Sequence, residues 1–280
     1  MMASPLYLLA ILQGLTELFP VSSLGHSILV PALLHLQINR AAPWFLPFIV
    51  VLHVGTATAL LLYFWRDWWS ILKSLIRTRG RPFEPETRLF WRLVIGTVPA
   101  GLLGLALERW VRGLFAGFTV AAIFLIINGL ALWVGDRLKS RTARGGLDEL
   151  TLKQALLIGL AQATALLPGI SRSGATLVSG LGTGLDYEAS ARFSFLLATP
   201  IIGAAGLLEI PKLFLDHTGA GPLLGGILVA GFLAGACAWL SSWFLMRYFR
   251  KREVTALRPF ALYCMLAGLA ALILHGTLLP

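Results

Sequence analysis

The stretch Gln13–Ser27, QGLTELFPVSSLGHS, decides how the chain is read. Its apolar residues belong to a membrane-buried run, yet Glu17, Ser22, Ser23 and His26 fall within ten positions of one another. Gln13 and Glu17 are four apart and share a helix face. After Pro20, Ser22 and His26 are four apart, and Ser23 and His26 are three apart. A hydroxyl within reach of an imidazole, with a carboxylate nearby, is the ingredient set of an activated nucleophile. In a soluble helix the same residues would read as a cap and a satisfied core histidine. Inside hydrocarbon an ionisable side chain is costly, so a functional reading takes precedence.

The surroundings make this membrane protein chemistry. Of 280 residues, 57% are apolar and only 13% charged, against about a quarter charged in ordinary soluble domains. Mean hydropathy is +0.80. The chain is read as an all-α polytopic membrane protein, a single membrane domain over residues 1–280. The N-terminus lacks a basic region and a small-residue cleavage site, and is read as mature structure rather than a signal peptide. Cys237 and Cys264 sit in apolar runs without CxxC spacing and are expected to be packing residues.

The net charge of +10 does not point to nucleic acid. Of the 23 Lys and Arg, 17 fall in 66–92, 137–153 and 247–258, expected to be loops and their flanks. That clustering marks these stretches as cytoplasmic. Alternation then gives spans at 43–65, 92–107, 117–136, 190–210, 221–246 and 258–278, with Glu108, Arg109 and Arg112 in an external loop. Trp44, Trp65, Trp68, Trp69, Trp91 and Trp110 fall near span ends, where an aromatic belt belongs.

Two segments remain, 5–37 and 153–187, and each must start and finish on one side. The first is interrupted by Pro20 and Gly25, the second by Pro168, Gly169 and Gly174. Each is read as a broken hairpin, re-entrant or fully crossing. They also resemble each other, and Pro20 pairs with Pro168 at an offset of 148 residues. Each half is then a broken hairpin plus three transmembrane helices, about 1–140 and about 150–280, in an inverted-topology repeat. In such a plan the two hairpins meet near the bilayer midplane, and their polar clusters face each other.

The second cluster, LLPGISRSGATL at 166–177, contains Arg172, the only basic residue between Lys153 and Arg192. Ser171, Ser173, Gly174 and Thr176 flank it. A helix starting at Ser171 would offer free N–H groups, hydroxyls and a guanidinium to an anion, and to phosphate above all. His35, His53, His217 and His275 have no partner at a recognisable spacing and are assigned no role. Asp186 and Glu188 read as a helix start.

At these two motifs the chain resembles the undecaprenyl-diphosphate phosphatases, the bacitracin-resistance family of bacterial inner membranes. Gln13-x-x-x-Glu17 with PVSSLGH is similar to the family's first signature, and PGISRSGAT to its second. The family accepts Glu or Gln at the position of Gln13; glutamine here removes one carboxylate. The resemblance implies catalytic roles for Glu17, Ser23, His26 and Arg172, and substrate contacts from Gln13, Ser22, Ser171, Ser173, Gly174 and Thr176. It implies hydrolysis of undecaprenyl diphosphate to the monophosphate and inorganic phosphate. The site would open to the periplasm, recycling the lipid carrier for cell-wall synthesis. It also implies homodimers and a divalent cation, Mg²⁺ or Ca²⁺, with Glu17 as its ligand. Three nucleophiles stay open: Ser23, His26, or a water activated by His26. Ser23 with His26 as general base is preferred. The competing class is a flippase for polyprenyl phosphate, which would need Arg172 and the hydroxyls but no nucleophile. A purely structural subunit would explain neither cluster.

Overall fold

The computed structural model describes residues 3–36, 38–39, 42–107, 117–138, 145–214, 223–251 and 255–278. The expected external loop of Glu108, Arg109 and Arg112, together with Trp110, Lys139, Arg141, Arg144, His217 and Arg252, lies outside them.

The interruptions read at Pro20, Pro168 and Gly169 are breaks between two short helices, whereas Gly25 and Gly174 lie in the first turns of the helices that follow. The first pair is α1 (Ala3–Thr16) and α2 (Ser23–Leu33). Six longer helices include α3 (Phe45–Tyr63), α5 (Pro85–Ala106) and α6 (Phe118–Leu138). Between α3 and α5 lies α4 (Trp65–Thr78). The second short pair is α7 (Leu152–Ala163) and α8 (Arg172–Gly182). The chain ends with α9 (Tyr187–Glu209), α10 (Leu224–Lys251) and α11 (Arg258–Leu278). The described residues contain no strand, only an isolated bridge between Gly145 and Leu185.

The six helices long and apolar enough to cross a membrane are α3, α5, α6, α9, α10 and α11, which match the six expected spans. The short ones fall below that length. At 1.5 Å per residue, the 11 residues of α2 or of α8 extend for about half of a ~30 Å hydrocarbon core. The first basic stretch departs from expectation, because residues 65–78 form α4 rather than a loop. Ile71 and Ser74 are buried on one face, whereas Trp65, Trp69, Leu72 and Ile76 are exposed. Apolar side chains at helical spacing, with Arg66 over Trp65 and Lys73 over Trp69, fit a helix lying in the headgroup region.

Small residues set the packing. A Cβ on Gly55 of α3 would fall 2.0 Å from Gly231 O of α10, and one on Gly159 of α7 would fall 2.4 Å from Gly96 O of α5. Such contacts bring backbones close where the hydrophobic effect offers no drive between helices. The contacts also pair up across the chain: α1 lies on α10 and α7 on α5, while α3 meets α9 and α6 meets α11. Where α6, α9 and α11 converge, buried Asp136 accepts from Tyr187 OH, the Leu257 amide and Arg258 Nε, at 2.5, 3.1 and 3.1 Å.

Candidate active site

The two breaks meet. An added Cβ on Gly25 would lie 3.2 Å from Gly169 Cα. Gly169 itself has φ +106, and an added Cβ would fall 2.4 Å from Ala121 O of α6. No other residue fits that backbone and that gap. A serine caps the helix after each break. Ser22 Oγ accepts from the Gly25 amide at 3.2 Å, and Ser171 Oγ from the Gly174 amide at 3.1 Å. Ser22 holds φ at 67, a left-handed conformation costly for a non-glycine residue and frequent at functional sites.

Asn128 of α6 ties the breaks together. Its amide donates to Pro20 O at 2.9 Å and accepts from the Ser171 amide at 2.9 Å. One is a carbonyl of the first break and the other the amide of the residue that caps α8. Ser173 donates its hydroxyl to Phe19 O at 3.0 Å, a third link between the halves.

Glu17 sits at the centre of this junction, 6% exposed. Its Oε2 accepts from Ser23 Oγ at 2.6 Å and from Gln13 Nε2 at 2.8 Å. Its Oε1 faces Arg172, with Nε at 3.4 Å and Nη2 at 3.3 Å. The remaining Arg172 nitrogen, Nη1, donates to Ser194 O of α9 at 3.1 Å. A buried carboxylate persists only when paired and hydrogen-bonded in this way. The two polar clusters, with Glu17 and Arg172 155 positions apart in sequence, are therefore in contact.

The histidines fall differently from expectation. His26 does not bond Ser23. Its Nδ1 faces Ser22 O at 2.7 Å, and its Nε2 meets Tyr263 OH of α11 at 2.6 Å. The carbonyl can only accept, so Nδ1 carries the proton and Nε2 accepts from the tyrosine. Ser23 instead has the carboxylate of Glu17. His53, given no role above, comes within 3.3 Å of Glu17 Oε2 through Nε2, while its Nδ1 faces Ile49 O at 2.8 Å. Both neighbouring atoms are hydrogen-bond acceptors. Sequence reasoning missed His53 because 36 positions separate it from Glu17. The available signal was an ionisable side chain inside an apolar span, the argument applied to His26.

A cavity of about 490 Å³ opens onto this cluster, within the usual range for ligand pockets. Glu17, Ser22, Ser23, His53, Ser171 and Arg172 line its polar part. The rest is largely apolar wall from α3, α5, α7 and α9. Gln13, His26, Ser173, Gly174 and Thr176 stand behind the lining. Thr176 bonds Ser194 Oγ at 2.7 Å, and so backs the strand of contacts that holds Arg172.

Among the described residues no three His, Cys, Asp or Glu gather as a metal site. Glu17 is the single carboxylate beside Ser23 and Arg172. That donor set suits Mg²⁺, which commonly binds one or two carboxylates together with substrate phosphates.

Residues 6–270 match the family described as "Bacitracin resistance protein BacA". The chain is 57% identical over 267 residues to "Undecaprenyl-diphosphatase 2" of Chromobacterium violaceum, covering 95% of this chain and 96% of the relative. It is 54% identical over 271 residues to "Undecaprenyl-diphosphatase" of Acidiphilium cryptum, with 95% and 96% covered. The protein of the same name from Granulibacter bethesdensis is 49% identical over 278 residues, with 94% of each covered.

Proposed function

The chain belongs to the bacitracin resistance protein BacA family, and from that premise we propose that it hydrolyses undecaprenyl diphosphate to undecaprenyl phosphate and inorganic phosphate. It is a multi-pass membrane enzyme that recycles a lipid carrier for cell-wall synthesis, and its activity underlies bacitracin resistance. One observation carries the chemistry: Ser23 Oγ lies 2.6 Å from Glu17 Oε2, with the Arg172 guanidinium on the other oxygen of the same carboxylate.

The reading assigns roles accordingly. The diphosphate enters the cavity and takes contacts from Arg172 and the Ser22 and Ser171 turns, while the polyprenyl tail stays against apolar wall and lipid. Ser23 Oγ attacks the terminal phosphorus as its proton passes to Glu17. The Oγ–P bond forms, and the bridging P–O bond breaks with its electron pair on undecaprenyl phosphate. Once Glu17 has released that proton to the departing phosphate or to water, a second water attacks the phosphoserine and gives a proton to Glu17. The Oγ–P bond breaks, inorganic phosphate forms, and Glu17 returns the proton to Oγ. Arg172 stabilises the equatorial charge in both steps. His26 positions the first turn of α2 from Ser22 O to Tyr263. Gln13, Ser173, Gly174 and Thr176 hold the two helix starts and Arg172 in register.

A divalent cation, Mg²⁺ or Ca²⁺, would be held by Glu17 and the diphosphate oxygens, and would supply charge neutralisation. We place the protein in the bacterial inner membrane with the cavity open to the periplasm, supported by the three basic stretches. Two pseudo-equivalent halves, about 1–140 and about 150–280, are supported by the paired contacts of α1 with α10 and of α7 with α5. A homodimer is part of the same reading.

The test is phosphate release from undecaprenyl diphosphate in detergent with added divalent cation. Wild type should turn over. Ser23→Ala and Arg172→Ala should lose on the order of 10³-fold or more in kcat/KM. No release by pure wild-type protein would overturn hydrolysis and leave headgroup translocation as the reading of the cavity.

A further inference from the structure

The cavity carries a second pair of charges that this chemistry does not use. Glu209 ends α9, and Lys212 stands in the short 3-10 turn that follows, Ile210–Phe214. Lys212 Nζ lies 2.6 Å from Glu209 Oε1. Both line the same cavity as Glu17, Ser23 and Arg172.

Exposure sets Lys212 apart. The side chains of Glu17, Arg172 and Glu209 are 5%, 13% and 12% exposed, whereas that of Lys212 is 42% exposed. Lys212 is the most accessible charged side chain of the lining, so it marks where the cavity meets its surroundings. Most of the remaining wall offers an anion nothing: Leu46, Ile201, Ala205 and Leu208 are typical of it. A phosphate group crossing this cavity has two cationic side chains that reach it from different elements, Lys212 at the mouth and Arg172 inside.

The residue type suits that task. A lysine ammonium is a compact charge on a flexible stem, able to swing between partners, unlike the planar fork of arginine. One partner, Glu209, is three positions away at the end of α9, and the ammonium itself stays accessible to solvent. An ammonium that remains accessible can turn from this carboxylate to an incoming anion.

We propose that Lys212 is a second anion-binding residue of this enzyme. It contacts the diphosphate headgroup as it enters and inorganic phosphate as it leaves, with Glu209 as the counter-ion it exchanges for them. The proposal rests on the phosphatase reading and adds to it a binding step at the mouth.

The experiment uses the full-length protein in detergent, comparing wild type with Lys212→Gln, Lys212→Arg and the double exchange Glu209→Lys/Lys212→Glu. Lys212→Gln should raise the KM for undecaprenyl diphosphate about tenfold, the lower end of the gain from focused charge, with kcat within about twofold. It should weaken product inhibition by added inorganic phosphate to a similar degree, and flatten the fall of kcat/KM with rising salt. Lys212→Arg keeps the charge but loses the compact mobile ammonium, and should fall between wild type and Lys212→Gln. The double exchange keeps an ion pair but moves the positive charge, and should behave like Lys212→Gln. A shift in KM alone assigns Lys212 to the incoming headgroup, and a shift in phosphate inhibition alone assigns it to the product. Two results overturn the proposal: wild-type KM, inhibition and salt dependence in Lys212→Gln, or wild-type behaviour restored by the double exchange. If Lys212→Gln does not fold, the double exchange decides alone. Failure of wild type to release phosphate is a separate outcome that removes the underlying reading.

Discussion

A single carboxylate oxygen, Glu17 Oε2, organises the site, since Ser23, Gln13 and His53 all converge on it. The sequence carried Glu17, Ser23 and Arg172 openly, because polar residues within an apolar run need a reason to be there. It misdirected the partner of Ser23. A spacing of three places His26 near Ser23 only if both side chains lean the same way. The Ser22 carbonyl and Tyr263 instead hold the ring by both nitrogens. His53 approaches Glu17 through tertiary packing, which no local spacing encodes. Its expected weight can be measured. His53→Gln replaces the imidazole facing Glu17 while keeping a donor, and should lower kcat/KM about tenfold; His53→Leu also removes the donor and should lower it further. Equal activity of all three proteins at every substrate concentration would remove His53 from the site.

At the scale of elements, the breaks matter more than the helices. Pro20 and Pro168 announced both, the Ser22 and Ser171 caps fall one position from that offset, and α2 and α8 are each 11 residues long. Asn128 was not legible, because an amide alone in a long apolar helix has no pattern to belong to. Its position in the fold explains it, as it satisfies one backbone group from each break. Asn128→Ala would leave Pro20 O and the Ser171 amide buried without that partner, at a cost of about 2–4 kcal/mol. The unfolding midpoint in detergent should fall clearly, and Asn128→Ala with an unchanged midpoint would show that the junction holds without it. The helix α4 was hidden for a different reason. Its seven-residue spacing of Arg66 and Lys73 drew attention as charge, while the apolar face between them went unread.

For the whole molecule, hydropathy and charge bias were sufficient to place six spans, because length and apolarity are what a bilayer selects. Which helices touch was beyond reach, since small residues such as Gly55 and Gly231 meet by shape rather than by period. Sidedness makes a sharp prediction. The α4–α5 turn, with exposed Phe83, and exposed Gly146 before α7 should face the cytoplasm, and exposed His35 after α2 the opposite side. Cysteines introduced at these three positions, read against the background of Cys237 and Cys264, should react with an impermeant thiol reagent in intact cells only at position 35. Labelling at 83 or 146 but not 35 would invert the proposed orientation.

The contact between Glu17 and Arg172 also has a history in time. A chain is made from its N-terminus, and 155 residues separate the carboxylate from its guanidinium. At about 5–20 residues per second, Glu17 is synthesised on the order of 10 s before Arg172 exists. His53 belongs to the earlier half and is synthesised before Arg172. The imidazole placed beside Glu17 in the finished enzyme is thus also made while the second half is still on the ribosome.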